Sequence, residues 1–266
     1  MTPGLPRRTS QNSPTAGSPT TGSSSLNSSA LIRCLMDRAI VNAADLAQMA
    51  AETDAKQSFA EQLGLWLDWT GAIALSAVLN GHEFAQPLAS QTDQLGELGT
   101  PQPAVALMAE LKRVRHDLAQ AIKTADAADA DALHADNAAD FLPYRRSYRA
   151  HQQAMETRIG VLRAQARVVL SGLSADLKRI AALDAVLDKA LAAKERHVLS
   201  TLPSLLEKHF KRLGANGAQG AQRAPAPAWL AVFCSDMQAT LLAELDLRVH
   251  AVEGMVEAMP NLSTRQ

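Results

Sequence analysis

Apolar positions in this chain recur at intervals of three and four, the period of one face of an α-helix, and no segment alternates as a strand would. Ser28 or Ser29 offers an N-cap for a first helix over ALIRCLMDRAIVNAADLAQMA. Ser58 with Glu61 matches a capping box, Asp54 is an alternative cap, and the helix they open should run to Asn80-Gly81. One stripe of that helix holds Phe59, Leu63, Trp66 and Ile73, and another holds Leu65, Trp69 and Leu79. A helix apolar on two faces is expected to be enclosed, with Phe59, Leu63, Trp66, Trp69 and Ile73 in the core.

A proline-started amphipathic helix follows over 103–122, and a long one from Pro143 to about Leu170. On the long helix Tyr144, Tyr148, Met155, Ile159, Leu162 and Ala166 share the side expected to be buried. Ser174 and Asp176 open the next helix, which Pro203 must end or kink, and a continuation carries Leu206, Phe210 and Leu213 to Gly214. The last helix, about 228–259, sets Leu230, Phe233, Met237, Leu241, Leu245 and Val252 at coiled-coil spacing, interrupted by Arg248. These six residues are the candidate interface seam.

Between the periodic segments the composition changes. Residues 1–27 are mostly Pro, Ser, Thr, Gly, Asn and Gln and are expected to be a disordered arm. Pro87, Gly96, Gly99 and Pro101 mark a connector, and 124–140 carries five aspartates without Lys or Arg, reading as a loose linker or a weak polar helix. Residues 214–227 read as a Gly/Ala/Pro linker. The expected fold class is therefore all-α: a multi-helix bundle with long amphipathic helices, a disordered arm and a linker-tethered C-terminal helix. Its parts are the arm 1–27, a helical hairpin and connector 28–101, a long-helix region 102–213, the linker 214–227 and the helix 228–259. Residues 28–259 are expected to form one cooperative domain.

Composition supports helix over sheet, since aromatics make up only 4% of a chain that is 47% hydrophobic. A formal charge of −1 argues against wholesale attraction to nucleic acid or anionic lipid. The most apolar run, Leu63 to Leu79, is short for a bilayer and carries Asp68, so no transmembrane segment is expected. Arg7-Arg8 precedes polar residues rather than the apolar core of an export signal. Cys34 and Cys234, each within an apolar stretch, read as free buried thiols in a reducing compartment. Together these point to a cytoplasmic protein.

The stretch FLPYRRSYRAHQQAM raises the one question of chemistry, because the helix that follows Pro143 uses arginine as its only strong base. Arg145, Arg149, Arg163 and Arg167 line one flank of the buried stripe, Arg158 lies on the other, and Arg146 points away. The structural reading pairs these guanidiniums with carboxylates of neighbouring helices, and residues 31–101 supply nine acids against three bases. The alternative is phosphate, RNA or single-stranded DNA held by Arg145, Arg146, Arg149, Arg163 and Arg167.

Other chemistry finds little support. HExxH, G-x-S-x-G and C-x-x-C are absent, and Gly214, Gly217 and Gly220 lack the strand and GK[ST] of a phosphate loop. Asp131 and His134 stand at i, i+3 with Asp136 near, yet a di-metal bundle needs Glu-x-x-His from two helices. No cofactor, metal or catalytic residue is expected.

The segments LIRCLMDRAI, QSFAEQLGLWLDWTGAIALSAVLNG, FLPYRRSYRAHQQAME, LDAVLDKALAAKERHVLSTLPSLLEKHFKRL and FCSDMQATLLAELDLRV resemble a bacterial family catalogued as "domain of unknown function 3348". The resemblance spans about 28–258. It carries no established activity. Its genes neighbour those of motor-stator and peptidoglycan-anchoring envelope proteins, which implies partners of that kind. The expected function is a non-enzymatic scaffold or adaptor acting through helix–helix contacts, with a protein partner or a homo-oligomer. Basic 143–213 and acidic 228–266 would set which surfaces meet.

Overall fold

The computed structural model describes residues 30–41, 59–80, 103–133, 140–220 and 228–259, and every regular element among them is an α-helix. The expected arm 1–27, the connector 81–101 and residues 134–139 and 221–227 lie outside the described residues. In chain order the helices are α1 (Ala30–Asp37), α2 (Phe59–Trp66), α3 (Trp69–Leu79), α4 (Pro103–Leu133), α5 (Leu142–Leu173), α6 (Ala175–Leu199), α7 (Leu202–Gly220) and α8 (Ala228–Glu257).

Helix α8 is the axis of the bundle, packed by α1, α4, α5 and α7 and touched by α6. Apolar residues project from it in several directions, so Leu230, Phe233, Met237, Leu241, Leu245 and Val252 are all buried inside one protomer. This corrects the expectation of a free seam: their stripe meets α4, α5 and α7 of its own chain. At one end an aromatic cluster closes the core, with Phe233 edge-on to Tyr144 (5.3 Å) and Phe210 (5.0 Å) and Phe210 edge-on to Trp229 (5.0 Å).

Helix α5 buries Tyr144, Tyr148, Met155, Ile159, Leu162, Ala166 and Leu170, the side its periodicity indicates. It stops at Ser174, whose hydroxyl accepts from Leu177 N at 3.2 Å and so caps α6. Helices α6 and α7 then form one broken rod running back along α5. Gln152 meets the end of α6, and Arg163 and Arg167 meet Asp184 and Asp188 earlier in it. The break falls at Ser200-Thr201, just before Pro203. Helix α4 continues to Leu133, the helical of the two readings open for 124–140, and α7 outruns the linker expected from 214 by continuing to Gly220. At Gly214 the reason is packing, because that position lies against the Trp229 indole and seats α7 on α8.

The run from Leu63 to Leu79 departs most. It is two helices, because Asp68 Oδ1 accepts from Gly71 N at 2.6 Å and starts α3 afresh. Gly71 suits this turn, since a Cβ there would stand 2.9 Å from Asp68 Oδ1 and Leu67 Cδ2. Helix α3 lies antiparallel on α6, with Arg179 donating to Leu79 O at 3.3 Å at one end and the Lys189 charge acting on Asp68 at the other. Among the described residues, α6 is the one helix it packs against extensively. Leu63 and Trp66 are half-buried, whereas Trp69 is 81% and Ile73 41% exposed, a correction to their expected core placement. The Phe59 side chain lies outside the described ones.

Candidate functional site

Asp236, Thr240, Glu244 and Arg248 follow one another at intervals of four on α8, so they form a single stripe along one side of the helix. That side faces the interior. Glu244 is fully buried, and every neighbour it meets is a donor. Tyr148 Oη donates to its Oε2 at 2.8 Å, and Gln152 Nε2 lies 3.1 and 3.0 Å from its two oxygens. Arg248 donates to Oε1 through Nε at 2.9 Å and Nη2 at 2.8 Å. Gln152 also donates to Leu199 O at 3.0 Å, satisfying a carbonyl that the end of α6 leaves open. The carboxylate is thus locked by α5 and by its own helix. Burial first, then the Glu244 charge, pushes the Tyr148 hydroxyl well above its ordinary value, so it stays protonated as a donor.

One helical turn before Thr240, Asp236 binds three elements together. Arg38 Nη1, just beyond α1, donates to its Oδ1 at 2.6 Å, and His209 Nε2 on α7 lies 2.8 Å from its Oδ2. Arg212 Nη2 stands 2.7 Å from His209 Nδ1 and also donates to Ala39 O. A guanidinium has only donors, so Nδ1 must accept and Nε2 carries the proton that goes to Asp236. Ala39 takes a left-handed φ of 51°, turning its carbonyl toward Arg212.

The arginines of α5 divide by position. Arg163 and Arg167 are both held by Asp184 and Asp188 of α6, in contacts of 2.6 to 2.7 Å. Arg158 donates to Asp117 of α4 at 2.8 Å and holds that carboxyl below its usual range. Arg163 and Arg167 are thereby removed from the candidate ligand contacts, because carboxylates already fill their donor forks. Arg146 and Arg149 are exposed, and Arg145 is half-buried with its charge acting on Glu207 of α7. The structure does not bring the five arginines into one site.

Among the described residues no group of three or more His, Cys, Asp or Glu is placed to hold a metal ion. Asp131, His134 and Asp136 lie outside the described side chains. Cys34 and Cys234 form no disulfide with each other, and both are half-buried. Burial raises the Cys34 thiol despite the nearby Arg38, which keeps it in its less nucleophilic form. Among the described helices none is long and apolar enough to cross a membrane.

Fold and site together define a class: an all-α bundle whose central C-terminal helix is keyed to its neighbours by buried charge. More particularly, the chain belongs to the family described as "Protein of unknown function (DUF3348)", whose model matches residues 20–261. Comparison with curated proteins gives no match, and comparison with solved structures gives none either.

Proposed function

We propose that this protein is a non-enzymatic, cytoplasmic helical scaffold or adaptor that works through helix–helix contacts, in complex with envelope-associated proteins. The observation that supports the reading is the outer side of α3, where Trp69 is 81% and Leu79 60% exposed, while the seams of the long helices are filled from within. Large apolar side chains grouped on one outer surface mark a contact site. The working surface is thus shifted from the α8 seam to α3. Coiled-coil pairing, if used, involves this short helix.

Cross-linking of the full chain in a native extract, read by mass spectrometry, tests this. Lysines 178 and 189, which border α3, are expected to link to a defined protein, and Trp69→Lys is expected to abolish those links. Links unchanged in Trp69→Lys, or absent throughout, count against the scaffold.

A second reading, nucleic-acid or phosphate binding, is favoured by Arg145, Arg146 and Arg149, which make no hydrogen bond or close ion pair with described residues. Micromolar affinity for RNA or single-stranded DNA that falls steeply with salt, and disappears in Arg145→Ala with Arg149→Ala, would establish it over the scaffold.

A further inference from the structure

We infer that the outer face of α3 pairs with the same face of a second copy of this chain, the two helices lying antiparallel. The inference rests on the scaffold reading and names its partner. Trp69, Ala72, Ile73, Ser76, Leu79 and Asn80 are all exposed. At 100° per residue they share a sector of about 120°. No charged residue falls in that sector. Its polar pair is partly matched, because Asn80 Nδ2 donates to Ser76 Oγ at 3.1 Å. Such a face can leave water without stranding a charge. Trp69 is a large, stiff anchor, and the small Ala72 and Ser76 beside it let another helix approach closely.

The ends of α3 select a second copy in reversed orientation. Asp68 stands exposed at the N-terminal end, its carboxyl held below the usual range first by Thr70 and then by the Gly71 N–H, with Lys189 the weakest influence. Arg179 of α6 stands exposed at the C-terminal end, on Leu79 O. An antiparallel copy brings each Asp68 to the other chain's Arg179, and two-fold symmetry makes the contact twice. It also sets Trp69 over the partner's Leu79 and Ala72 opposite Ser76, with the helix dipoles opposed. Parallel pairing would instead place Asp68 on Asp68.

Sedimentation equilibrium of the purified full chain provides the test. The wild type is expected to be a dimer. Trp69→Glu with Ile73→Glu is expected to be a monomer with unchanged helical circular dichroism, since both side chains are exposed. Geometry supplies an independent arm in a Cys34→Ser, Cys234→Ser background. Trp69→Cys chains mixed with Leu79→Cys chains should form a disulfide, while neither does so alone, because equal positions then lie about 15 Å apart. A monomeric wild type overturns the inference, as does cross-linking of Trp69→Cys chains alone. A monomer whose Trp69 fluorescence shifts to the blue on phosphatidylglycerol vesicles overturns it in favour of a lipid surface. If a monomeric wild type still links through Lys178 or Lys189 to a different protein, self-pairing fails and the scaffold survives; with no link, both fail.

Discussion

Tyr148 carries the clearest single-residue consequence. Its hydroxyl is buried, donates to a buried carboxylate at 2.8 Å, and is held above the ordinary phenol value of 10.0, by burial first and the Glu244 charge second. Tyr148→Phe removes one donor but leaves Glu244 with Gln152 and Arg248, so the expected loss near neutral pH is about 2 kcal/mol. The sign of the pH effect follows from linkage. Above the ordinary value the unfolded chain releases the phenolic proton while the folded chain retains it, so the hydroxyl's contribution is complete below that pH and is lost as pH rises toward the folded value. The gap between wild type and Tyr148→Phe in urea unfolding should therefore narrow above pH 10.0. A gap that widens there would show that the hydroxyl is not the donor. Glu244 itself was not legible in the sequence: eight residues after Asp236 and four before Arg248, it reads as an ordinary solvated face until the surrounding helices are in place.

Between elements, the junction of α5 and α6 rests on Arg163 and Arg167 gripping Asp184 and Asp188. Asp184 receives both guanidiniums and is mostly buried, whereas Asp188 is about a third exposed. Asp184→Ala leaves two partly buried cations sharing one carboxylate and is expected to cost about 2 kcal/mol; Asp188→Ala should cost less, because water screens it more. Urea unfolding of the two variants checks the order, and equal costs would contradict it. This junction was readable beforehand in part. The apolar stripe of α5, its arginine flanks and the Ser174 cap all follow from spacing, because a helix exposed on one side must be amphipathic. Helix α3 escaped the same logic. A single capping aspartate inside an apolar run looks like an interruption of one helix, although it begins a second, and no period within the run reveals that among the described helices α6 is its main cover. Helix α8 misled in the opposite direction: its seam spacing suits a coiled coil, but the partners that fill it come from distant parts of the same chain.

At the scale of the whole molecule, cooperativity should follow the contact pattern. Helix α8 touches α1, α4, α5, α6 and α7, so freeing its amides requires most of the bundle to open. Among the described helices α3 packs mainly on α6 and leaves one side exposed, so it can open while the bundle persists. Hydrogen exchange should therefore be on the order of 100-fold faster in 69–79 than in the buried turns of α8, and only the α8 rate should respond strongly to mild denaturant. Protein concentration adds a second axis. A local opening within one chain is independent of concentration, whereas a face covered by a second copy is released only when the copies part. Exchange in 69–79 should accordingly slow as concentration rises, with α8 unchanged, and that dependence should vanish in Trp69→Glu with Ile73→Glu. Equal protection of the two helices in dilute protein would mean that α3 belongs to the same cooperative unit as α8 and that its single packed face holds it more firmly than its contacts indicate.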